Sequence, residues 1–221
     1  MSLNKYKPCV IVSKKYEFSR RSELEAIDLD AIIRFHGHFC PGLAIGIRAA
    51  ELALREIGPH SADEEVVAIV ETDMCPVDAI QFMTGCTFGK GNLIHLDYGK
   101  NAFTFIRRSD GKAIRLVMGP QSRGESRCKP SESSFRVKGE PPSPEDHERL
   151  PVLNQQRVQE IFDLPLESLF DVQTVEPHIP AKARVSASIQ CEICGEMVME
   201  TRARLIGGRK LCIPCFEASK S

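Results

Sequence analysis

The chain has 221 residues, 42% of them apolar, with 29 basic and 30 acidic side chains. That is enough for one domain of ordinary size plus a small appendix, and the nearly cancelled charge offers no strong field to draw in nucleic acid or an anionic membrane. No run of 18 apolar residues exists, and the N-terminal stretch CVIV is too short for a signal peptide, so the chain reads as cytoplasmic with no membrane span.

Residues 1–20 carry few helix signals and read as an arm or an edge strand. From Ser22 to Phe35 the pattern turns helical, with Leu24, Ile27, Ala31 and Phe35 at spacings of three and four, although Asp28 and Asp30 could instead start a shorter helix. The clearest helix runs from Pro41 to Ile57. Leu43, Ile47, Ala50, Leu54 and Ile57 make one apolar stripe, Arg48, Glu51 and Arg55 take the other side, and Glu51 and Arg55 lie in i,i+4 reach. Its small residues, Gly46, Ala49, Ala50 and Ala53, would let another element approach closely. Glu65–Thr72 reads as a strand and Pro76–Met83 as a helix. Leu93–Tyr98, Ala102–Arg107 and Ala113–Met118 read as strands joined by turns at 99–101 and 109–111, which predicts a meander of hairpins. Residues 119–144 form a long Pro-, Ser- and Gly-rich loop. Glu145–Phe170 is helical with breaks near Pro151 and Pro165, and a last strand follows at Asp171–Val175.

This order predicts an α+β fold: helices packed on a mostly antiparallel sheet, with a small C-terminal zinc ribbon. The expected domains are a core at 1–176, a linker at 177–188 and a ribbon at 189–221.

The chain has nine cysteines, and four of them sit in two Cys-x-x-Cys pairs, Cys191/Cys194 and Cys212/Cys215. Each pair supplies two sulfurs from one tight knuckle, and together they complete the tetrahedron that zinc prefers. Between the pairs, Val198–Leu205 and Lys210–Leu211 flank the turn Gly207-Gly208, giving a knuckle–hairpin–knuckle layout. A piece of this size has too little core to fold alone, so metal must supply folding energy on the order of 10–16 kcal/mol. Four thiolates leave no open position, which makes this zinc structural. Arg202, Arg204, Arg209 and Lys210 form a modest basic patch without interleaved aromatics, favouring a protein partner over nucleic acid.

A second constellation lies in FHGHFCPGLAIG. His36, His38 and Cys40 alternate, so in an extended segment they would point to one side. Cys40 precedes Pro41 and would cap the best helix, where the dipole favours a thiolate. Cys75 precedes Pro76 in the same way, and the two capping cysteines are expected to face one cleft. His36, His38, Cys40 and Cys75 are therefore the candidate ligands of a second transition metal of unspecified identity. Cys40 and Cys75 are also the candidate catalytic thiols. Asp73 and Asp78 are either acid/base or supporting groups or simple helix-start carboxylates. Cys86, in the glycine-rich turn TGCTFGKG, stands evenly between site and core. That turn falls one residue short of a nucleotide-binding loop and has Gly91 where Ser or Thr should stand, although an anion could rest beside Lys90. Cys9, Cys128, His60, His95, His147 and His178 read as packing or surface residues.

Three segments, His36-Gly37-His38-Phe39-Cys40-Pro41-Gly42, Cys75-Pro76-Val77-Asp78-Ala79-Ile80-Gln81 and Thr84-Gly85-Cys86-Thr87 with Gly89-Lys90, resemble the FmdE-like family of formylmethanofuran dehydrogenase subunits over roughly residues 22–120. The resemblance implies an α+β core, a zinc-binding tail, a homodimer, and a metal-binding or active-site cleft lined by His36, His38, Cys40 and Cys75. It associates the chain with partner subunits of a redox complex, and so with an oxidoreductase, although the pterin chemistry of that complex belongs to other subunits. The function expected is a metal-binding accessory subunit or small enzyme in redox or one-carbon metabolism. The alternatives are an interaction scaffold docking through its ribbon and, less favoured, a zinc-ribbon nucleic-acid binder.

Overall fold

The computed structural model describes residues 10–15, 28–119 and 144–220, which divide into two compact units at Lys182/Ala183. The first unit holds β1 (Val10–Lys15), α1 (Leu29–His36), α2 (Pro41–Glu56), β2 (Val66–Val70), α3 (Pro76–Thr84), β3 (Leu93–His95), β4 (Ala102–Arg107), β5 (Ala113–Met118), α4 (Pro144–Asp163), α5 (Leu166–Leu169) and β6 (Phe170–Glu176). The second holds β7 (Ser188–Gln190), β8 (Met197–Met199), a 3₁₀ turn (Glu200–Arg202), β9 (Arg204–Ile206), β10 (Arg209–Leu211) and α6 (Ile213–Ala218). The architecture is α+β. No helix among the described residues is long and apolar enough to cross a membrane.

In the first unit one six-stranded sheet has the order β1-β6-β5-β4-β2-β3, antiparallel except for the β2–β3 pair. Alternation sorts the side chains. Val66, Ala68, Val70, Phe103, Phe105, Ile114 and Leu116 face the helices, where they pack with Leu43, Ile47 and Leu52 of α2. Val67, Ile69, Ile106, Ala113 and Val175 make a separate buried cluster.

Several expectations need correction. The three strands after α3 do not form a meander. β3 lies parallel beside β2, with Ala68 opposite Leu93, and only β4 and β5 make a hairpin of that set. A helix carries the chain between β2 and β3, and such a crossover delivers the next strand parallel. β2, buried along its whole length, thereby gains a partner on its second edge. α2 is buried nearly all round, including Arg48 and Glu51, which pair with each other at 2.6 Å rather than Glu51 with Arg55. Arg48 also donates to the Leu164 carbonyl at 2.8 Å. Burial raises the Glu51 pKa, against the Arg48 charge. α1 begins only at Leu29, capped by the Asp28 carboxylate, which accepts from the Ala31 N–H at 2.8 Å. The earlier part of the expected helix and the loop at 120–143 lie outside the described residues. Pro151 sits inside α4 without ending it; it is solvent-exposed, and the helix forgoes one hydrogen bond there. In the second unit the 3₁₀ turn interrupts the expected strand at 198–205, so two short hairpins form, β7–β8 and β9–β10.

Candidate metal centre

The His36–Cys40 segment is not extended. His36 is the last residue of α1, and Gly37 follows with φ 96°, a left-handed helix end that only glycine adopts freely, its N–H bonded to the Ile33 carbonyl at 2.7 Å. Three residues later Cys40 caps α2, its sulfur accepting from the Leu43 N–H at 3.4 Å. A helix end, a left-handed turn and a helix start thus fold His36 and His38 together, with their ring centroids 4.5 Å apart.

Cys75 arrives from α3. A Cβ on Gly46 would lie 2.2 Å from the Pro76 carbonyl oxygen, and one on Gly42 would lie 3.0 Å from the Cys75 Cβ. These two glycines of α2 let the start of α3 lie directly on it. Cys75 stands at the N-cap of α3 before Pro76, as expected, but it has helical backbone angles and its thiol makes no capping hydrogen bond. Burial first, then the Cys40 sulfur beside it, pushes the Cys75 pKa up.

One donor atom from each of His36, His38, Cys40 and Cys75 lies within 4.8 Å of the others. His36 Nδ1 meets Asp78 Oδ2 at 2.7 Å. His36 Nε2 is buried and has no hydrogen-bond partner among the described residues. A buried imidazole with one nitrogen held by a carboxylate and the other unsatisfied matches a metal ligand oriented from behind. Two imidazoles and two thiols form a donor set for zinc, iron, nickel or copper. Asp78 therefore acts as a partner of His36, whereas Asp73 is exposed.

The other candidates lie elsewhere. Cys86 is fully buried, its thiol donating to the Val66 carbonyl at 3.4 Å, and burial pushes its pKa up to about 11. It is a core residue. Lys90 donates to the Ser61 carbonyl at 2.8 Å and tethers the glycine-rich turn to the preceding loop. His60 bonds the Met83 carbonyl, and His95 and His178 are exposed. Cys9 and Cys128 fall outside the described residues, and of the His147 side chain nothing is described.

In the second unit, Cys191, Cys194, Cys212 and Cys215 also lie with their sulfurs within 4.8 Å of one another. The Cys212 N–H donates to the Cys191 sulfur at 3.3 Å. That bond, with the N–H groups of Cys194 and Ile193, lowers the Cys191 pKa to about 6. Leu211, Val198, Ile206 and Phe216 supply a very small core around the thiols.

Residues 35–171 match the family described as "FmdE, Molybdenum formylmethanofuran dehydrogenase operon". The chain belongs to the FmdE family. Residues 186–220 match the prokaryotic dksA/traR C4-type zinc finger, so the four-cysteine unit is a zinc-finger domain on an FmdE core. A curated relative from Archaeoglobus fulgidus, named "Probable S-adenosyl-L-methionine-binding protein", is 34% identical over 188 residues, covering 82% of this chain. The chain spans only 50% of that relative's length. The crystal structure of a tungsten formylmethanofuran dehydrogenase FmdE-like protein from Syntrophus aciditrophicus shares the fold. Its TM-score is 0.59 at 24% identity, over 87% of this chain and 92% of that one.

Two of the cavity-lining residues were invisible in the sequence. Phe39, Ile45, Met74, Asn101 and Asn154 border the cluster, drawn from four separate segments of the chain. Asn101 and Asn154 belong to no motif, and only the packing of α4 and of the turn before β4 brings them there.

Proposed function

We propose that the FmdE core binds one transition metal through His36 Nε2, His38, Cys40 and Cys75, in addition to the structural zinc of the C-terminal domain. The observation that carries this reading is the buried His36 Nε2, without a hydrogen-bond partner among the described residues, beside two thiols and a second imidazole. Asp78 holds His36 in the tautomer whose Nε2 lone pair is free to ligate. Cys40, fixed at the start of α2, and Cys75, fixed by the Gly42 and Gly46 contacts, supply the sulfurs. A transition metal bound there would supply Lewis-acid chemistry where its coordination opens a position beyond these four donors.

The chain then serves as an accessory subunit or small enzyme of redox or one-carbon metabolism, cytoplasmic and homodimeric. Exposed aromatics support a partner-binding face: Phe35 and Phe82 make a tilted ring contact with centroids 5.6 Å apart, and Phe88 is 78% exposed. A second reading, docking through the zinc finger, is favoured by the exposed Met197, Met199 and Leu205 of that unit.

Cobalt(II) substitution tests the ligand set. The Cys75→Ser variant should lose part of the thiolate-to-cobalt absorption while keeping that of the four-cysteine site. An unchanged spectrum would remove Cys75 from the ligands.

A further inference from the structure

A cavity of about 390 Å³ lies beside the core cluster, at the small end for ligand sites. His38, Cys40 and Cys75 line it, whereas His36 does not, so three of the four clustered residues look onto one space. Among the described residues eleven line the cavity, and none of these is Lys, Arg, Asp or Glu. Two thiolates would cancel the charge of a divalent metal, leaving the floor neutral as well. Among these residues an anion meets no Lys or Arg and a cation meets no carboxylate, so either loses hydration with little compensation.

Apart from His38 and the two thiols, the polar side chains among these lining residues are two carboxamides, Asn101 in the turn before β4 and Asn154 on α4. Each carries both donors and an acceptor. Such a side chain pairs edge to edge with a flat group that also carries a donor and an acceptor, as Asn does with adenine. Phe39, Ile45 and Met74 offer apolar surface to the rest of a ligand. The Asn154 wall is anchored: Val158 and Ile161 of α4 are buried in the core, and Arg48 of α2 holds the Leu164 carbonyl just beyond α4.

We infer that this cavity is the substrate pocket of the core centre, and that it takes a small uncharged molecule with an apolar body and an amide-type edge read by Asn101 and Asn154. This rests on the metal-centre reading above. Asn154 and Asn101 are then specificity-determining residues, and charged isosteres of the substrate are excluded.

Benzamide and benzoate form a suitable probe pair, alike in shape but differing in charge and in the N–H donor. Their binding to the zinc-loaded full chain is measured by ligand-observed NMR, with metal content determined on the same sample. Benzamide should bind saturably and at least about tenfold more tightly than benzoate, the scale of one hydrogen bond. Asn154→Leu, a substitution on an exposed helix position that favours the helix, should erase that preference without unfolding the protein. Benzoate binding as tightly as benzamide, no saturable benzamide binding, or a preference that survives in both Asn154→Leu and Asn101→Leu would overturn the inference. Metal content separates the two readings. Two metals with no preference sinks the pocket assignment alone, while one metal with the preference intact sinks the metal centre and leaves the pocket's chemistry standing.

Discussion

His36 and Asp78 show how one residue prepares another. Asp78 is not one of the four clustered donors, yet its carboxylate fixes which His36 nitrogen is free. Asp78→Asn should therefore weaken core metal binding by roughly 10- to 100-fold. Because the Asp78 side chain is 41% exposed, global stability should change little. Competition with a chelator and a urea titration read the two effects separately; a large loss of stability with unchanged affinity would contradict this role. Cys86 gives the opposite case, a thiol enclosed by the core. Its pKa is raised to about 11 from the usual 9, so the unfolded chain releases the proton first as pH rises. The stability from its burial is complete below about pH 9 and declines up to about pH 11. Cys86→Ala should flatten that decline, cost roughly 1–2 kcal/mol at neutral pH through the lost packing, and leave metal content unchanged. Equal pH slopes in variant and wild type would count against it. Sequence alone left Cys86 evenly balanced, because a cysteine in a glycine-rich turn looks the same whether the turn faces a cleft or a strand.

At the scale of elements, the meeting of α2 and α3 places the sulfurs. The small residues of α2 were legible as a close-approach stripe, and the motif His36–Cys40 was legible as a convergence of donors. The reason for that convergence was not, since Gly37 and the cap of α2 bend the segment where alternation assumed it straight. The parallel β2–β3 pair was hidden for a similar reason: hydrophobic pattern marks a strand but not its neighbour. Gly46→Ala would drive a Cβ into the Pro76 backbone, at 2.2 Å from its oxygen, so α3 must shift. The expected cost is about 1–3 kcal/mol, with a loss of core metal because Cys75 moves. Gly89→Ala, with nothing within 4 Å, should stay within about 0.5 kcal/mol of wild type. Urea denaturation of the pair decides; equal stability would mean that the α2–α3 contact does not confine Cys75.

For the molecule as a whole, the two units differ in what holds them. The first has a core of helices on a six-stranded sheet, whereas the second has few buried apolar side chains around its four cysteines. The Cys-x-x-Cys spacing made the second unit the most legible part of the sequence, because its fold is dictated by metal rather than by long-range packing. A strong chelator should therefore unfold residues 183–220 first, exposing them to limited proteolysis, while the first unit keeps a cooperative thermal transition. Simultaneous loss of both units would contradict that independence. The core centre depends instead on three helices brought together by the fold. Metal stoichiometry by elemental analysis, on wild type and on a Cys40→Ser, His36→Ala double variant, tests the central claim most directly. The account predicts two metal ions per chain in wild type and one in the variant; one ion in both would leave only the zinc finger occupied and contradict the core metal centre.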